Sequence, residues 1–177
     1  MFWGRAKAAK AANTATTRVL MVCMGNICRS PTAEAVLRQK LKAAGLDKTV
    51  EVDSAGTYGG HVGEPPDARA QRHAKLRGYD LSRLRARRLT ADDFTHFDRV
   101  IAMDGDNLSR MADLAPEGHA ARLELLMAHA QHHPDVSAVP DPYYGPPAGF
   151  DHVLDLIEDA CNGLVSELAR NPSKPSR

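Results

Sequence analysis

Cysteine is scarce in this chain of 177 residues: there are three, at positions 23, 28 and 161, and no two are spaced as Cys-x-x-Cys. An odd, scattered set fits neither the disulfide framework of a small secreted domain nor a structural zinc site, and it points to a reducing cytoplasm. An excess of either charge is also missing, because 23 Lys and Arg stand against 22 Asp and Glu. Composition gives no argument for wholesale attraction to nucleic acid or to a membrane, so any electrostatic function has to be local. No apolar run approaches the roughly 18 residues that a membrane-spanning helix needs. The opening "MFWGRAKAAKAANTATT" carries Arg5, Lys7 and Lys10 with no apolar segment behind them, so no secretory signal is expected.

What is present is an alternation of short apolar runs with amphipathic ones. "RVLMV" reads as a strand buried on both faces, followed by a Gly-containing loop and by Ser30-Pro31, a capping hydroxyl and a first-turn proline that predict a helix start. That helix places Ala33, Val36, Leu37 and Leu41 on one face and ends near Gly45. Further strands are expected in "TVEVDSAG" and "DRVIAMD", and further helices in "PDARAQRHAKLRG", "GDNLSRMADLA" and "DHVLDLIEDACNGLVSELAR". "RRLTADDFTHF" predicts a short helix capped by Thr90; "ARLELLMAHA" fits helix or strand; "AVPDPYYGPPAGF" carries too many prolines for either. Strands alternating with helices predict a single α/β domain with a parallel sheet flanked by helices on both faces. Residues 1–17 are expected to be a disordered extension, 18–168 the domain and 169–177 a tail. Ligands of such sheets bind beyond the carboxyl ends of the strands, where the cysteine loop, "DSAGTYGG" and Asp104 all fall.

The loop "CMGNICRS" combines features that suit an oxyanion. A chain that turns at Gly25 and feeds a helix N-terminus can aim successive N–H groups at one point, and Arg29 adds a planar fork of donors. Five residues separate Cys23 from Arg29, so the sulfur can floor a pocket wide enough for a tetrahedral anion. Donors that hold an oxyanion also favour a thiolate, and the Ser30 hydroxyl is a candidate donor. A thiolate beneath a phosphate can attack in line and split hydrolysis into two easier steps. The leaving oxygen then needs a proton, for which Asp141 in the Pro-rich segment is the candidate; on spacing alone Asp141 reads more readily as an Asx-turn residue.

"VCMGNICRSPTAEAV", with "DPYY" far downstream, resembles the low-molecular-weight protein tyrosine phosphatases. The likeness runs on through "VDSAGT", "HVGEPPDARA", "RRLTADDFTHFDRVIAMD" and "GFDHVLDLIEDACNGL", and covers residues 18 to 168. It implies a four-stranded parallel sheet of Rossmann-like form, with Cys23 as nucleophile, Arg29 as phosphate clamp and Asp141 as general acid and then base. It implies a phosphate cradle of Met24, Gly25, Asn26, Ile27, Cys28, Arg29 and Ser30, braced through Asn26, Ser30 and Ser54. Tyr143 and Tyr144 match paired tyrosines beside the acid, and Tyr58 is a further wall candidate. Cys28 matches a loop cysteine that in relatives forms a reversible disulfide with the nucleophile; its other reading is a small buried residue. The implied partner is a phosphotyrosine-containing protein, with no metal, organic cofactor, nucleic acid or membrane, and with the chain a monomer or weak homo-oligomer.

Three departures stand out. Relatives commonly carry an aromatic just before "HVG", where this chain has Gly60. A histidine that joins the brace in some relatives has no counterpart in "SRLRARR", and residues 1–17 precede the point where relatives usually begin. Relatives acting on phosphoarginine carry Thr where this loop has Ile27, which implies phosphotyrosine. The rival readings are a thiol-dependent arsenate reductase, whose relay cysteine would have to be Cys161, and a non-catalytic phosphate-binding module. A metal site on His129, His132 and His133 requires them to share a helical face.

Overall fold

The computed structural model describes residues 16–172, so nearly all of the extension expected at 1–17 and the last five residues of the tail lie outside the described residues. In β1 (Thr17–Cys23), Val19, Met21 and Cys23 join one core and Leu20 and Val22 the other, and all five are buried. A strand with two dry faces has to be central. It pairs in parallel with β2 (Val50–Gly56) on one side and β3 (Arg99–Ala102) on the other, and β4 (Arg122–Leu125) adds to β3. The order β2-β1-β3-β4 is the expected four-stranded parallel sheet.

Helices cover both faces. Val36, Leu37 and Leu41 of α1 (Arg29–Ala43) pack with Leu154, Ile157 and Leu164 of α5 (Ala148–Arg170) on one side. Phe94 of the short α3 (Asp93–His96) and Met111 of α4 (Gly105–Leu114) close the other. Each such side chain, fully buried, stabilises the fold by about 1.5–3 kcal/mol before entropic costs. Between β2 and α3 in the chain lies α2 (Ala68–Leu76), capped by Asp67 and ended at Gly78, whose φ of 88° suits glycine. Among the described residues no helix is long and apolar enough to cross a membrane.

Some local expectations are corrected. Ser30 does not cap α1: the helix begins a residue earlier, Cys28 stands at the cap without a side-chain bond, and the Ser30 hydroxyl turns instead toward Cys23. Thr90 does not cap α3; its N–H donates to the Asp93 carboxylate, reversing the expected direction. "ARLELLMAHA" is neither one helix nor one strand but β4 followed by a 3-10 turn at Leu126–His129. His132 and His133 lie beyond that turn, so the three histidines do not share a helical face: His133 pairs with Asp159, while His129 sits between Glu124 and Glu167. The segment after the turn is pressed onto α5, where a Cβ on Gly163 would run into the His129 carbonyl.

An ion network ties the far ends of β3 and β4 to α5. Arg99 donates to Glu124 across 2.7 Å and to Glu167 across 3.1 Å. Burial opposes the charged form of Glu124, but His129 and Arg99 more than offset it and hold the carboxyl down at about 2. A depressed carboxyl stabilises the fold fully above its unfolded value of 4.5, and that contribution is lost as pH falls toward 2. Glu124→Gln is expected to cost roughly 3 kcal/mol at pH 7. In urea titrations the gap between variant and parent should close progressively below pH 4.5.

Candidate active site

The carboxyl end of β1 delivers Cys23 to the base of a tight loop, and α1 begins six residues later. Asn26 takes a left-handed backbone with φ of 55°, a conformation that Asn tolerates better than most residues. The turn brings the Asn26 N–H to 3.3 Å from the Cys23 sulfur, and the Ser30 hydroxyl lies 3.0 Å from the same atom. Among the described residues, no backbone acceptor takes the N–H of Gly25, Ile27 or Cys28, all of which line the cavity above the sulfur. Free donors at a helix N-terminus around a thiol form a nest for an oxyanion.

A buried hydrogen-bond chain fixes the nest. The Asn26 carbonyl accepts from the Arg87 N–H at 3.0 Å, which orients the amide so that its two N–H bonds reach Ser30 at 2.8 Å and Ser54 at 3.0 Å. Ser54 donates its own proton to Glu34 at 2.5 Å. Ser30 accepts from Asn26, and its proton has the sulfur at 3.0 Å and the Ala55 carbonyl only at 3.5 Å, so it points to the sulfur, the direction that favours a thiolate. Burial pushes the Glu34 carboxyl up, and hydrogen bonds and charge from Ser54 and Arg38 work against that rise. The expected brace of Asn26, Ser30 and Ser54 thus gains two members, Arg87 through its main chain and Glu34. Glu34 comes four residues after Ser30, one helical turn on the same face, which is the sequence signal that could have found it. Among the described residues no histidine joins this chain.

Arg29 is almost fully buried. It donates to Asp104 at 2.5 Å and to the Val139 carbonyl at 3.1 Å, and Asp104 is itself fixed as the N-cap of α4. A second guanidinium nitrogen lies 3.7 Å from Asp141. The Asp141 side chain is half-exposed and accepts the Tyr143 N–H at 3.1 Å, so the Asx turn and the position over the pocket coexist. Val139 N–H bonds to the Met103 carbonyl and roots this Pro-rich loop at the end of β3.

The cavity, about 390 Å³, is lined by Cys23, Arg29, Tyr58, Asp141, Tyr143 and Tyr144 among others. A larger open groove of about 930 Å³ beside Gln71, Lys75 and Leu76 has no thiol in its lining. The departure at Gly60 has a structural reply. Any Cβ there would collide with the Tyr58 ring, which occupies the space above the glycine and forms a wall of the cavity. Tyr58 N–H bonds to the Met24 carbonyl, so the wall is tied to the cysteine loop.

Cys28 packs in a small cluster with Ile27, Ala70, Ala86 and Phe150. Burial pushes its thiol up to about 12, with Asp67, Cys23 and Asp141 adding to the rise. It is a neutral thiol at physiological pH. Cys161 is fully buried in the main core, where desolvation likewise raises it to about 12.

A parallel α/β sheet bearing a thiol, a buried arginine and a carboxylate around an anion nest defines a protein of the cysteine-dependent phosphatase class. The sequence profile of the family described as low molecular weight phosphotyrosine protein phosphatase matches residues 18–174. A low molecular weight protein-tyrosine-phosphatase of Streptomyces coelicolor is 44% identical over 156 residues, covering 85% of this chain and 93% of its own. The crystal structure of a protein tyrosine phosphatase from Entamoeba histolytica, with Hepes in its active site, superposes with a TM-score of 0.84 at 37% identity, covering 88% of this chain and 99% of that one. A Drosophila arginine phosphatase superposes with a TM-score of 0.77 at 33% identity, over 84% and 96% of the two chains. The chain belongs to the low molecular weight phosphotyrosine protein phosphatase family.

This geometry makes two outcomes measurable. Ser30→Ala removes the hydroxyl that lies 3.0 Å from the Cys23 sulfur and should lower kcat for aryl phosphates by roughly ten- to a hundredfold in steady-state assays, as for loss of a hydrogen bond to a charged group worth about 1.5–3 kcal/mol. Gly60→Ala should displace the Tyr58 ring and raise KM for aryl phosphates while leaving kcat within about twofold, in steady-state assays.

Proposed function

We propose that the chain hydrolyses phosphotyrosine in proteins through a phosphocysteine on Cys23. The observation that carries this reading is the convergence in one cavity of the Cys23 sulfur with its donors, the buried Arg29 and the Asp141 carboxyl. The loop N–H groups and Arg29 hold the three non-bridging phosphoryl oxygens, where charge grows in the transition state. The thiolate attacks phosphorus as the phosphorus–oxygen bond to the aryl group breaks, and Asp141 gives its proton to the departing oxygen. Water then attacks the phosphocysteine, Asp141 takes back a proton, and phosphate and thiolate are released. The tyrosine walls suit an aromatic leaving group.

Ile27, at the position where relatives acting on phosphoarginine carry Thr, supports phosphotyrosine over phosphoarginine by resemblance. The Drosophila arginine phosphatase shares the fold, so the choice rests on side chains and not on architecture. An arsenate reductase would need a relay cysteine, and Cys161 lies fully buried in the main core. A non-catalytic phosphate module would have no use for a carboxyl standing over the thiol. For Cys28 the reading is a packing residue; a disulfide with Cys23 would start from oxidation of Cys23, because the neutral Cys28 thiol is the poorer nucleophile. Three cysteines, odd in number and scattered in the sequence, support a reducing cytoplasm as the compartment. A monomer or weak homo-oligomer acting on phosphotyrosine proteins, with no nucleic-acid or membrane partner, completes the proposal.

Turnover of 4-nitrophenyl phosphate in the presence of EDTA tests it. Cys23→Ser should abolish activity, and Asp141→Ala should lower kcat on a phosphotyrosine peptide by about 10²–10⁴ with a much smaller loss on 4-nitrophenyl phosphate, whose leaving group needs little protonation. Phosphotyrosine peptides should be cleaved and phosphoarginine peptides spared. Residual turnover by Cys23→Ser would end the mechanism.

A further inference from the structure

The segment 67–69 touches both halves of the site. Asp67 N–H donates to the Ile27 carbonyl of the cysteine loop at 2.8 Å. Its carboxylate caps α2 and holds the Arg69 guanidinium in two parallel bonds, at 3.1 and 2.9 Å. That fork lies against two rings, 5.4 Å from the centre of Tyr143 and 4.8 Å from that of Phe150. Phe150 is in turn stacked on His73, which is paired with Asp151, so the far side of the stack is anchored on α5. Tyr143 is the residue whose N–H fixes the Asp141 carboxyl. A continuous path therefore runs from the cysteine loop through Asp67, Arg69 and Tyr143 to Asp141.

Resting on the assignment of Asp141 as the proton donor, we propose that Arg69 is a positioning residue that sets where Asp141 stands relative to the cysteine loop. The root of the acid loop is held at Val139, but between Val139 and α5 lie four prolines and few backbone bonds. Tyr143 packs against the apolar cluster of Ile27, Cys28 and Phe150, and the Arg69 stack adds the charged contact that ties this tip to Asp67. Arginine is required because a flat fork can bind both Asp67 oxygens and still lie against two rings, which an ammonium cannot. Arg69 makes no contact with the reacting atoms in this arrangement; it acts by placing the carboxyl.

A misplaced acid is felt in proportion to how much the leaving group needs a proton. Arg69→Met is expected to lower kcat/KM for phenyl phosphate about tenfold and for 4-nitrophenyl phosphate by less than about threefold, since small displacements of a catalytic group are costly where that group matters. Arg69→Lys should show the same ranking with smaller losses, which covers the case in which Arg69→Met fails to fold. In an Asp141→Asn background, Arg69→Met should add no further discrimination between the two substrates. Equal losses on both substrates, or a rise in KM alone, would overturn the proposal and make Arg69 a support for the ring wall only. A leaving-group effect of Arg69→Met that persists undiminished in Asp141→Asn would overturn it as well. If Asp141→Asn by itself leaves the substrate ranking unchanged, the proton-donor assignment fails first, and the role of Arg69 fails with it.

Discussion

The buried hydrogen-bond chain from Cys23 to Glu34 is the constraint around which the site is organised. A sulfur under a ring of N–H groups is useful only if those groups stay put, and a loop with one residue at positive φ does not hold its shape unaided. Asn26 supplies the hold by committing its side-chain polar atoms inside the protein: one carbonyl on Arg87 and two N–H bonds on serines. Because each of these donors has its acceptor, the proton order along the chain is fixed, and the Ser30 proton faces the sulfur. Buried polar networks are favourable only when fully satisfied, and this one is.

The second constraint is that the sheet delivers its chemistry from several strand ends. Cys23 ends β1, Ser54 lies on β2, and the anchor at Met103 and then Asp104 come directly after β3. Parallel pairing brings these ends to one rim, where Arg29 is locked by Asp104 and Val139. Even with two fixed partners, a guanidinium is costly to take out of water. Its placement makes sense as a clamp held ready for an anion rather than as a source of stability.

Much of this is legible in the sequence, for reasons that particular residues make plain. The two-faced apolar run at 19–22 announces a central strand, and the pattern around Val36, Leu37 and Leu41 announces the helix that covers it. Cys23 and Arg29 stand out because the cysteine loop has few other uses, whereas Asp141 stands out only through the family resemblance, since Asp-Pro by itself reads as an Asx turn. Ser30 reads as a cap because propensity favours a hydroxyl near a helix start; tertiary demand from the sulfur takes that hydroxyl instead. Asp93 and Thr90 exchange roles for the same reason, as the Asp93 carboxylate also holds Arg87. Arg69 is invisible because it reads as an ordinary charged residue on a helix, and Glu34 is marked only by its spacing of four from Ser30; the fold shows which neighbours they meet. Gly60 announces a wall either weakened or rebuilt, and in the structure that exchange is made with Tyr58.

That exchange has a consequence for depth. With its N–H on the Met24 carbonyl, Tyr58 is hinged to the same loop that carries the sulfur, so wall and floor share one frame of reference. The distance from the rim of the ring to the sulfur is then a built-in gauge.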